Sequence, residues 1–74
     1  MIQAEGKYTI ELCRPGGFRD GVEGVTASED DLGMARALYR YAIANNPDRV
    51  VLLCDRARVL ARSDRPETMP PTSG

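Results

Sequence analysis

Val50-Val51-Leu52-Leu53-Cys54 is apolar at every position, and that run decides much of what the chain can become. Five residues are short for a helix and far below the roughly 20 that cross a bilayer. As a strand the run has no polar face, so it must be covered on both sides or lie inside a sheet. A chain of 74 residues has material for one such sheet, because a domain this small buries only roughly 60% of its unfolded surface.

The neighbours of that strand can be read from periodicity. Tyr8, Ile10 and Leu12 alternate with Thr9, Glu11 and Cys13, the period-two pattern of a half-buried strand. Arg14-Pro15-Gly16-Gly17-Phe18-Arg19-Asp20-Gly21 breaks it with turn formers and is too long for a tight hairpin, so a mobile tip carrying Phe18 is expected. Residues 22–27 form a second strand, diluted by Gly24. Ser28 then caps a helix, with Asp31 completing a capping box, and three acids in the first turn suit the helix dipole. The helix is expected to run to Ala44 or Asn45, where Asn45-Asn46 can take a left-handed cap ahead of Pro47. Residues 50–54 follow as a strand, Asp55-Arg56-Ala57 turn the chain, and residues 58–63 make the last strand.

The order is β-β-α-β-β, an α+β domain with a four-stranded, mostly antiparallel sheet and one helix packed on one face. The arrangement 2-1-3-4 makes every neighbouring pair antiparallel. Residues 1–6 read as a loose leader and residues 7–63 as the single domain. Residues 64–74, with three of the five prolines and little to bury, read as a disordered tail.

The helix carries more apolar surface than one sheet can cover. At about 100° per residue, Leu32, Tyr39 and Ile43 share a line, with Ala35 and Ala42 beside them. Met34, Ala37, Leu38 and Tyr41 fall roughly 140° to 240° from Leu32 by the same count. Met34, Leu38 and Tyr41 are therefore candidate interface residues. They are covered either by the leader, the Phe18 loop or the tail, or by a second copy across a two-fold axis. The sheet face of Thr9, Glu11 and Cys13 offers another route to association.

What the chain lacks excludes more than its motifs suggest. There is no histidine and no tryptophan, which removes the side chain that titrates near neutrality and the commonest metal ligand. Cys13 and Cys54 stand alone, without the close spacing of a zinc or redox pair, and are expected to be reduced and to fill space. Ser28 and Ser63 have no histidine to activate them, and capping explains Asp30 and Asp31. No cofactor, metal or catalytic residue is assigned, and the chain is not expected to be an enzyme. With no basic region followed by an apolar stretch at the N-terminus, no signal peptide is expected, and the protein is placed in the cytoplasm.

Ten basic residues against eleven acidic ones give a net charge of −1, which disfavours nucleic acid and membrane as partners. The basic set is lopsided, with nine arginines and one lysine. Arg49, Arg56, Arg58, Arg62 and Arg65 crowd the last hairpin and its exit, and Arg56, Arg58 and Arg62 form the candidate anion contact if they share an edge. Their competing role is to guard an edge strand against aggregation.

The stretch Ala35-Arg36-Ala37-Leu38-Tyr39-Arg40-Tyr41-Ala42-Ile43-Ala44, with Pro47-Asp48-Arg49-Val50-Val51-Leu52-Leu53-Cys54-Asp55-Arg56-Ala57-Arg58-Val59-Leu60-Ala61-Arg62-Ser63, resembles a family of very small bacterial proteins. They have a strand pair, one helix and a second strand pair. The likeness spans about half the chain and implies the fold with no activity. A non-catalytic cytosolic interaction module, homodimeric or bound to another protein, is the function expected. Weak nucleic-acid or anionic-ligand binding is the alternative.

Overall fold

The computed structural model describes residues 6–65. Of the leader expected over residues 1–6 and the tail expected over 64–74, residues 1–5 and 66–74 lie outside the described residues. Four strands, β1 (Tyr8–Cys13), β2 (Val22–Glu29), β3 (Val51–Asp55) and β4 (Arg58–Arg62), form one sheet, and α1 (Leu32–Asn45) packs on it. The order is β2-β1-β3-β4, antiparallel throughout. The all-apolar run thus sits in the interior strand β3, displaced by one residue from its expected start. Among the described residues no helix is long and apolar enough to cross a membrane.

Side chains alternate across the pleat. On the helix side, Ile10 stands between Leu53 and Ala27, and Leu12 faces Val51. Ile10, Val51, Leu53, Ala35, Tyr39 and Ala42 close the main core, with Tyr8, Leu12, Leu38 and Ile43 packed around it. On the opposite face Cys13, Leu52 and Cys54 form a second buried cluster against Val50. Both faces of β3 are therefore buried, as its composition demands.

The helix starts later than its sequence suggests. Ser28 and Glu29 extend β2 opposite Thr9 and Tyr8, and the Ser28 hydroxyl accepts from the Gly6 amide at 3.3 Å. Asp31 is the cap, its carboxylate accepting from the Met34 amide at 2.9 Å. Asp30 instead accepts from the Lys7 amide at 2.9 Å. Two further ladder partners outweigh the local capping box. The helix also ends without a left-handed residue, because Asn46 has φ −135°. The side-chain amides of Asn45 and Asn46 donate to the carbonyls of Tyr41 and Ala42, at 3.0 and 2.9 Å, and satisfy the last turn directly.

The β1–β2 loop is built rather than loose. Arg14 donates to Gly21 O at 2.9 Å, and Gly17 to Arg14 O at 2.9 Å. A single 3-10 turn over Phe18–Asp20 then closes with Gly21 donating to Phe18 O at 3.0 Å. Gly17 and Gly21 have φ of +102° and +91°, which side chains rarely adopt. A methyl group at Gly21 would meet nothing within 4 Å, so only the backbone resists it. Gly21→Ala is expected to cost about 1–2 kcal/mol. Gly24→Ala, equally open but without a positive φ, is expected to be neutral or slightly stabilising. Urea unfolding of the two variants checks this, and equal midpoints would contradict it.

Candidate functional site

The helix surface carries the first candidate, and its orientation differs from the sequence-based one. Ala35, Tyr39 and Ala42 are the buried helix residues, spanning about 60° of arc at 100° per residue. Leu38 lies roughly 65° from the centre of that line, and Met34 and Tyr41 about 105° to 130° from it. The axis is rotated because small residues let the helix backbone approach the sheet, while Ile10, Val51 and Leu53 supply the bulk from below. Leu32 is pushed to the flank, 37% exposed.

This rotation splits the three expected interface residues. Met34 and Tyr41 are exposed, at 54% and 69%. Leu38 is half-buried and packs on the core, so its place on the far side is corrected. Together Leu38 and Tyr41 wall an open groove between α1 and β2, floored by Ile10, Ala27 and Ala42. The Phe18 loop does not cover this side. Phe18 lies under the Arg62 guanidinium, 3.9 Å from its ring centre, and Arg62 stands opposite Leu52 on the other face of the sheet.

The three expected anion contacts are not brought together. Arg56 sits in the β3–β4 turn with φ +55°, and Arg58 opens β4 opposite Asp55. Arg62 closes β4 opposite Leu52, roughly 13 Å further along at about 3.3 Å per residue, and on the opposite face from Arg58. Its Nε and Nη2 donate to the two oxygens of Asp64 at 2.9 and 2.7 Å. That bidentate pairing holds the Asp64 carboxyl below its ordinary range. Arg49 is committed as well, donating to Cys13 O at 2.9 Å and pairing with Glu23. Sequence reasoning misses Arg19 and leaves Arg65, seen at the exit of the last hairpin, out of the anion contact; both line a cleft with Phe18, Val50, Arg62 and Asp64. No local signal links the two, because Arg19 lies in a loop and Arg65 follows β4.

Both thiols are free. Their strands are neighbours, yet Cys54 faces Thr9 while the Cys13 amide donates to Val50 O. Four residues of ladder, roughly 13 Å at about 3.3 Å each, separate them, which excludes a bridge. Burial raises the Cys13 thiol, with the Asp64 charge adding to it. Burial likewise pushes Cys54 up to about 11 from 9.0, helped by the neighbouring Glu11 carboxylate. The Thr9 hydroxyl donates to that carboxylate at 2.7 Å. The unfolded chain releases the Cys54 proton first, so this stabilisation is complete below pH 9.0 and lost towards about 11. Between about pH 8 and pH 11 the wild type is expected to lose about 2 kcal/mol more than Cys54→Ala. Equal losses in urea titrations would contradict that.

The residues with nucleophilic or acid–base potential serve the backbone. The Ser63 hydroxyl accepts from the Val51 amide at 2.7 Å, Ser28 from Gly6, Asp30 from Lys7 and Asp31 from Met34. Among the described residues no three His, Cys, Asp or Glu side chains gather into a group that could hold a metal ion. No family model matches the chain, and neither curated proteins nor solved structures give a match.

Proposed function

We propose that the chain is a non-catalytic protein-interaction module whose partner is a second copy of itself, met through the α1 shoulder. The observation that carries this reading is the exposure of Met34 and Tyr41 beside the apolar groove of Leu38, Ile10 and Ala42. An exposed apolar strip continuous with a groove is the usual mark of an interaction surface. A domain with one small core also gains by sharing it.

The sheet edges favour a face over strand addition. β2 carries two bulges, which leave Thr26 and Glu23 without partners on β1, and β4 carries another at Leu60 between arginines at each end. Bulges and terminal charges discourage edge pairing. Helix pairing has a size match in its favour. Gly33, Ala37 and Ala44 keep the helix surface low beside Met34 and Tyr41. Laid antiparallel on a second α1, Tyr41 meets Ala37 of the other copy, and Met34 meets its Ala44. The free thiols suit a reducing, cytoplasmic setting.

The test is the solution mass of Tyr41→Glu beside the wild type. The variant is expected to be a monomer with unchanged far-ultraviolet circular dichroism. A dimer that survives the substitution would overturn the helix-shoulder reading.

A further inference from the structure

A second surface lies across the sheet from the helix. Phe18, Arg19, Val50, Arg62, Asp64 and Arg65 line one open cleft, with Gly16 and Gly17 beside them, where the β1–β2 loop folds back towards the end of β4. Two features distinguish it from a random cluster of charges. First, the Arg62 guanidinium is locked from two directions, by the Phe18 ring at 3.9 Å and by both oxygens of Asp64. This makes a fixed stack of flat cation on aromatic ring, with Phe18 still 40% exposed. Second, Arg19 and Arg65 are exposed and have no ion-pair partner among the described residues. Asp64 pairs bidentately with Arg62 and lies near enough to Arg65 for that charge to lower its carboxyl further, and Asp20 lies against Gly16 at the rim.

We infer that this cleft binds a nucleotide unit, with Arg19 and Arg65 taking phosphate and the Phe18–Arg62 stack taking the base. Guanidinium forks match phosphate oxygens. Bases stack on aromatic rings and on arginine planes without regard to sequence. That chemistry is shared by free nucleotides and by single-stranded nucleic acid. The site is separate from the α1 shoulder and does not depend on self-association.

The test is fluorescence anisotropy of a labelled single-stranded DNA oligonucleotide at low salt, with adenosine monophosphate as competitor. The logarithm of affinity is expected to fall against the logarithm of salt with a slope of about −1.4, for two phosphates neutralised. Arg19→Glu with Arg65→Glu is expected to weaken binding by about tenfold or more, and Phe18→Ala by several-fold. Arg56→Glu with Arg58→Glu, at the far end of the hairpin, is expected to change it little. Asp20→Asn removes a charge at the rim and leaves the Phe18–Arg62–Asp64 arrangement intact, so it is expected to tighten binding, a gain that a misfolded variant would not produce. Displacement of the strand by the mononucleotide supports the site with free nucleotides as ligand. Strand binding that resists the competitor supports it with nucleic acid as ligand. Binding of neither probe, or binding indifferent to Arg19 and Arg65, overturns the inference.

Discussion

Leu53→Ala is expected to leave the chain at the edge of unfolding at 25 °C. Leu53 is 1% exposed and packs against Ile10 in the centre of the sheet. Truncating a buried leucine costs about 2–5 kcal/mol, because the lost transfer energy is joined by the cavity left behind. A domain of this size holds a total of only roughly 3–9 kcal/mol, at about 0.05–0.15 per residue. The helix cannot readily sink to fill the space, since Ala35 already brings it close over the sheet and is fully buried. Chemical denaturation should show a folded baseline shortened or absent for Leu53→Ala. For Val59→Ala, 39% exposed on β4, the baseline should be nearly normal. A full-length baseline for Leu53→Ala would mean that the core is more deformable than its packing implies.

The second large effect separates two residues that lie three apart on one helix. Leu38→Glu puts a carboxylate against the core beside Ile10 and Ala42, and is expected to cost the fold about 2 kcal/mol from lost burial and poor solvation. Tyr41→Glu places the same charge on a side chain that is 69% exposed, where a substitution typically changes monomer stability by less than about 0.5 kcal/mol. Its effect falls on association instead. A tyrosine at the centre of an interface is typically worth about 2 kcal/mol or more, roughly thirtyfold in affinity. Leu38→Glu should therefore lower the unfolding midpoint, and Tyr41→Glu the dimer fraction. Identical behaviour of the two variants would contradict the helix orientation described above.

Much of the architecture is written in local periodicity. The alternation of Tyr8 to Cys13, the unbroken apolar run and the helical spacing place the elements, while the order 2-1-3-4 rests only on making every neighbouring pair antiparallel. What was hidden depends on contacts distant in sequence. Ser28 makes a good cap in isolation, but pairing with Thr9 and the Gly6 amide draws it into β2. The bulge at Thr26 turns Val25 to the outer face opposite Glu11, and no residue pattern announces it. The helix axis departs from the line through its bulkiest side chains because the small Ala35 and Ala42 let the backbone come close to the sheet, which leaves Leu32 on the flank. The arginines show the same limit. Proximity in sequence grouped Arg56, Arg58 and Arg62, while strand alternation and a folded-back loop set Arg62 beside Arg19 and Arg65.

Self-association through the α1 shoulder is tested most directly by light scattering across a dilution series, with Tyr41→Glu measured in parallel. The wild type is predicted to hold a mass near twice 8.1 kDa until high dilution, and the variant a mass near 8.1 kDa throughout. A wild type that is monomeric at every concentration, with exposed Met34 and Tyr41, would contradict the account.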